Sequence, residues 1–179
     1  MIMMTENEFY KKKIFYSESI IKIRKEHKNQ KNDIDLWYRS DRYIELQEIK
    51  NKFNTKLNQL KERDKIKLKL EKDSLYKMTI WYLNADKECR YCKLPQSELT
   101  NLHTQPGHIN KRWPKRGQEL EIDRMQSDLP YTDIENLTLA CYWCNNGKTD
   151  TFTFDEAIEI GKSIQSIWEK RLNKKFKNG

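Results

Sequence analysis

All four cysteines of the chain stand in two pairs, Cys89-Arg-Tyr-Cys92 and Cys141-Tyr-Trp-Cys144. Two residues between thiols let one tight turn aim both sulfurs at a single point. Two such turns complete a tetrahedron around one zinc ion. That requirement draws two distant segments together and constrains everything between them. The rival reading, two redox pairs, needs a βαβ context that the surrounding pattern does not supply.

Between the pairs, Leu120 and Ile122 alternate with polar residues and lead into Asp123-Arg124. A polar turn region follows, and the run Leu137-Thr-Leu-Ala140 then enters the second pair. This predicts strand, turn, strand. Leu94-Pro95 closes the turn that carries the first pair. Residues 96–118 are read as a loop that holds His103, His108 and the basic cluster Lys111, Arg112, Trp113, Lys115 and Arg116. A Trp among basic residues can stack on a base or cover a core edge; the bland alternative is an ordinary solvated loop. Downstream, Thr153 and Glu156 form a capping-box pattern. The helix they open, at about 154–173 by its apolar spacing, places Ala157, Ile160, Gly161, Ile164, Ile167, Trp168 and Leu172 on one face. The tail from Lys174 is expected to fray.

The first half of the chain reads differently. Residues 40–84 hold no Gly and no Pro, and apolar residues such as Ile49, Phe53, Leu57, Leu60, Leu68, Leu75, Met78 and Tyr82 recur at steps of three and four or their sums. That spacing predicts one amphipathic helix or two. A helical patch is expected over Phe9–Lys28, with a polar linker over Lys28–Asp33. The expected division is a basic helical region, 1–84, and a cysteine-bearing domain, 85–179. Residues 1–84 carry 20 Lys and Arg against 13 Asp and Glu, whereas residues 85–179 carry 15 against 14. The net charge of +8 therefore sits almost wholly on the helical region. A basic excess favours a polyanionic partner through counterion release; the bland alternative is solubility. A long apolar stripe also suits pairing with a second copy, so a homodimer through the N-terminal helices is one expectation. No apolar run is long enough to span a bilayer, and no apolar leader with a cleavage site precedes the basic N-terminal residues.

The order of first Cys pair, Glu-Ile-Asp123, Asn136 before an apolar strand, and Cys-x-x-Cys-Asn145-x-x-Lys148 resembles the HNH nuclease family of the ββα-metal type. The resemblance covers about residues 86–150. It implies a small zinc-bound, treble-clef-like ββα core; with the long N-terminal helices and the C-terminal helix read from their apolar spacing, the expected fold is α+β, mostly α. It implies metal-dependent endonuclease activity on DNA, most naturally double-stranded, in a cytoplasmic or nucleoid-associated setting. The Cys89, Cys92, Cys141 and Cys144 zinc would be structural. A second cation, Mg²⁺ or Mn²⁺, would be held by Asp123 and Asn145. Asn136 would tie down the loop, and Lys148 would lie near a phosphate. The departure is Arg124, which stands where the family usually has its general-base His. Arg stays protonated and cannot accept a proton. Three readings remain. A base comes from His103, His108 or Tyr131; metal-bound hydroxide forms without a dedicated base; or the domain binds DNA without cutting it.

Overall fold

A computed structural model describes residues 3–16, 18–64, 72–104, 116–131 and 133–176, with side chains left undescribed at 56–64, 72–74, 103 and 104. The chain divides into two units, Met1–Asn84 and Ala85–Gly179.

The first unit is helical. α1 (Glu6–Tyr10) opens on a Thr5/Glu8 capping box, in which each side chain satisfies a backbone N–H at the other end of the turn. It runs into a π-helical turn, Lys11–Phe15. Lys50 donates its ammonium to the Ile14 carbonyl there, at 2.7 Å. α2 (Ile20–Glu26) and a 3₁₀ turn (Lys28–Gln30) lead to α3 (Lys31–Tyr38). The polar stretch expected to be a linker is therefore mostly helical. Gln30 explains part of this: its side-chain amide closes a reciprocal pair of bonds with the Met4 backbone, at 2.8 and 2.9 Å, and is buried. The long stripe is two helices, α4 (Asp41–Asp64) and α5 (Lys72–Asn84), packed on each other with Phe53 and Tyr82 ring centroids 5.8 Å apart. Leu46, Ile49, Phe53, Leu75 and Met78 are buried, as are Phe9, Ile14, Ile23 and Ile34.

The second unit begins with the first cysteine turn. Cys89 N–H donates to the Leu94 carbonyl and Lys93 N–H to that of Cys89, while Lys93 takes a left-handed conformation with φ of 58°. α6 (Gln96–Thr104) follows and buries Leu99 and Leu102. His103 thus stands on a helix and not on a loop; a propensity reading dominated by polar residues missed the apolar i, i+3 pair. β1 (Glu121–Arg124) pairs antiparallel with β2 (Leu137–Ala140), Asp123 facing Thr138 across the ladder. α7 (Tyr142–Lys148) starts directly from β2, and α8 (Phe154–Leu172) packs on α7.

The capping box forms at Thr153 and Glu156. Of the expected α8 face, Ala157, Gly161 and Trp168 are buried, but Ile167 is 48% exposed. The helix is kept close by Gly161: a Cβ there would lie 2.4 Å from the Tyr91 carbonyl oxygen. Beyond α8 the tail is tied down. Asn173 takes the left-handed cap conformation, Lys174 pairs with Glu98, and the Phe176 N–H and the Lys175 ammonium both reach the Glu169 carboxylate at 2.9 Å. Among the described residues, no helix is long and apolar enough to cross a membrane.

Candidate metal centre and active site

The four cysteine sulfurs lie within 4.8 Å of one another, and all four residues are buried. Sulfurs on a tetrahedral zinc, at Zn–S of about 2.3 Å, stand roughly 3.8 Å apart; Cys92 and Cys141 are 3.6 Å apart. The donor set and its spacing therefore fit a metal such as zinc. The two turns are locked together through the sheet as well, since Arg90 N–H donates to the Leu139 carbonyl at 2.8 Å. Burial pushes the Cys141 thiol far up. Burial acts the same way on Cys89, but hydrogen bonds from Cys141, Cys144 and Cys92 outweigh it and hold that thiol well below its ordinary value.

Asp123 lies on β1 and is 7% exposed. Its Oδ2 accepts a hydrogen bond from the Tyr91 hydroxyl at 2.7 Å and lies 3.7 Å from the Lys148 ammonium. Tyr91 is the third residue of the first cysteine turn, so the four-cysteine frame itself delivers the group that orients Asp123. Burial first, and the Asp123 charge second, push the Tyr91 hydroxyl far up, so it remains a donor.

α7 lies along the same face. Asn145 and Lys148, one helical turn apart, reach β1 at two successive places. Asn145 Nδ2 donates to Glu121 Oε2 at 2.6 Å, and the Lys148 ammonium donates to the Arg124 carbonyl and Ser127 Oγ, both at 2.9 Å. Lys148 is 1% exposed. This differs from the phosphate contact expected for it: the ammonium is turned inward, where it offsets the Asp123 charge and ties the end of β1 to the following turn. Asn136 bonds the backbone of Gln126 in both directions, accepting at 2.8 Å and donating at 2.9 Å, which pins the turn between the strands.

Arg124 is held on the outside of this turn. It donates to the Leu129 carbonyl at 3.0 Å, lies 4.7 Å above the Tyr131 ring, and stands 3.8 Å from the exposed Asp150 carboxylate. Tyr131 thus supports the guanidinium. Arg116 grips Glu121 through Nε and Nη2, at 3.1 and 3.2 Å, and lies 4.8 Å above the Tyr142 ring. His108, Lys111, Arg112, Trp113 and Lys115 lie outside the described residues, as does the His103 side chain.

Two contributors escaped the sequence reading. Glu121 had a signal: on a strand it shares a face with Asp123, two residues on. Tyr91 had none, because its reach to Asp123 exists only once the cysteine turns meet.

A two-stranded antiparallel hairpin, a short helix and a four-cysteine frame within a mostly helical chain define an HNH-like α+β fold. Among solved structures, the chain is similar to PacI, a rare-cutting HNH restriction endonuclease with a described mechanism of DNA perturbation. The two are 25% identical, with a TM-score of 0.52 over 68% of this chain and 80% of that one. No family model and no curated protein matches the chain.

Proposed function

We propose that this chain is a metal-dependent DNA endonuclease of the HNH type that hydrolyses phosphodiester bonds. The observation that carries the reading is the placement of Asp123 and Asn145 on facing elements, β1 and α7, braced by the four-cysteine frame, in a fold similar to that of an HNH restriction endonuclease. The cysteines would hold zinc with no open position, a structural role.

The donors fit a second, hard cation. Asp123 has Oδ2 engaged and Asn145 has Nδ2 engaged; among the described residues the Oδ1 of each accepts no hydrogen bond. Two oxygen donors with the remaining positions left to water and phosphate suit Mg²⁺ or Mn²⁺. Such an ion, when bound, stabilises the charge that develops on the phosphate and on the leaving oxygen.

The protein's own residues do the rest. Tyr91 holds Asp123 in one rotamer. The Lys148 ammonium, 3.7 Å away, lies beside that buried carboxylate and offsets its charge. Arg124 stays charged and can exchange its weak, exposed Asp150 contact for a backbone phosphate. It cannot accept the proton of the attacking water, which leaves to solvent or to a base among His103, His108 and Tyr131. DNA attraction is supplied largely by the basic 1–84 unit.

Nicking of supercoiled plasmid, in Mg²⁺ or Mn²⁺ against a chelated control, tests the reading. Asp123→Ala and Asn145→Ala should each abolish metal-dependent nicking while far-UV circular dichroism is retained. An Asp123→Ala protein that nicks like the parent overturns the assignment. A second reading rests on Arg124: with no base at that position, the domain would be a zinc-stabilised DNA-binding module. Retained DNA binding without nicking in either metal would decide for it.

A further inference from the structure

Glu121 receives two kinds of donor at once. Its Oε2 accepts from Asn145 Nδ2 at 2.6 Å, and the Arg116 guanidinium grips the carboxylate at 3.1 and 3.2 Å. A carboxylate can only accept, so the amide nitrogen of Asn145, and never its oxygen, must face Glu121. An asparagine side chain is nearly symmetric in shape: rotated by half a turn, it presents an NH₂ group where it had presented an oxygen. Only the oxygen can bind a hard cation.

We propose that Glu121 is a positioning residue that fixes the amide of Asn145 so that its oxygen faces the cation site, with Arg116 holding Glu121 in place. This rests on the assignment of Asn145 as a cation ligand. β1 makes the arrangement available, because Glu121 and Asp123 project from one face of the strand while α7 runs beside it. Arg116 contributes the second constraint. Its bidentate grip, with its stacking on Tyr142, removes the freedom that a part-buried glutamate would otherwise keep. Arg116 belongs to the basic cluster expected to touch DNA, and this geometry gives it an inward task in the same site.

Mn²⁺ binding to the zinc-loaded protein, followed by electron paramagnetic resonance, tests the proposal without any turnover. Glu121→Ala should weaken Mn²⁺ binding about tenfold, the lower end of what outer partners of metal ligands contribute. Glu121→Gln should recover most of it, since its amide oxygen still accepts from Asn145. The deciding measurement uses Asn145→Asp. An aspartate presents an oxygen on either side and needs no orienting partner, and Glu121 now repels it. In that background Glu121→Ala should leave Mn²⁺ affinity unchanged or raise it.

A loss of tenfold in both backgrounds would mean that Glu121 merely supports the fold, and would overturn the proposal. Unchanged affinity in Glu121→Ala with Asn145 present would overturn it as well. Failure of the underlying assignment reads differently: Asn145→Ala would then leave Mn²⁺ affinity untouched.

Discussion

Thr149 follows the buried Lys148 and has φ of 52° and ψ of −151°, a conformation that a β-branched residue adopts only under constraint. Its carbonyl lies 3.5 Å from Ser127 Oγ and its own Oγ1 accepts from the Thr151 N–H at 3.2 Å, so the strain sits where α7 turns away from the candidate site. Thr149→Gly should relieve it and raise stability by about 1 kcal/mol, readable as a higher denaturant midpoint at constant slope. Lys148 has the opposite sensitivity. Lys148→Ala strands a buried Asp123 carboxylate and removes the tie to Arg124 and Ser127, a loss of roughly 3 kcal/mol. Lys148→Met should cost less, since it keeps the packing of the long side chain. Measured side by side by urea unfolding, equal losses in the two would show that the packing of the long side chain is immaterial and that its charge and hydrogen bonds account for the loss. The Tyr91 hydroxyl makes a cleaner probe of chemistry. Tyr91→Phe keeps the ring against Phe154, 5.9 Å between centroids, and deletes only the bond to Asp123. Metal-dependent nicking should fall by about tenfold or more, in keeping with other groups that orient metal ligands, with little change in melting temperature.

At the level of elements, α8 shows how packing closes the second unit. Gly161 lets the helix lie directly on the first cysteine turn, and Trp168 packs at a tilt against Trp143 of α7 with centroids 4.6 Å apart. Gly161→Ala pushes a methyl into backbone, which cannot yield as a side-chain end would; a loss of about 2 kcal/mol is expected in thermal unfolding. The segment after α8 is held electrostatically. Backbone N–H donation from Phe176, then Lys175 and Gln165, hold Glu169 down to about 2. A carboxylate lowered in the fold stabilises it above its ordinary range and loses that contribution as pH falls toward the folded value. The tail should therefore detach between about pH 4 and pH 2, with the amide of Phe176 losing exchange protection.

Much of this was legible in the sequence. The alternation at Leu120 and Ile122, the run 137–140, and the Thr153/Glu156 cap were local signals, and local signals sufficed. The order of the 28–33 stretch and the docking of the tail were not local. Each depends on a partner far along the chain: Met4 for Gln30, Glu98 for Lys174. The inward turn of Lys148 belongs with these, because a lysine's destination is set by what lies opposite it.

For the whole molecule, the uneven charge gives a measurable expectation. With 20 basic residues against 13 acidic, the 1–84 region should dominate attraction to duplex DNA, and binding by the full chain should weaken more than tenfold between 50 and 200 mM salt. Fluorescence anisotropy on a labelled duplex reads this directly, and a flat salt response would place the affinity elsewhere. The cysteine unit is near neutral and owes its order to a different source. Stripping metal from the thiols should unfold it, seen as loss of near-UV dichroism, while helicity from α1 to α5 persists.

Tyr91 gives that last experiment a second meaning. It is part of the turn between Cys89 and Cys92, yet its hydroxyl ends on Asp123. On the proposed function, loss of a metal bound by the thiols would therefore also disarm the carboxylate, and the two metal requirements could not be separated by chelation alone. A chelator that removes both ions would report a single, apparently simple dependence on Mg²⁺, while add-back of Mg²⁺ would fail to restore cutting. Only re-supply in sequence, zinc first and Mg²⁺ second, would reveal that the protein counts two ions where an assay sees one.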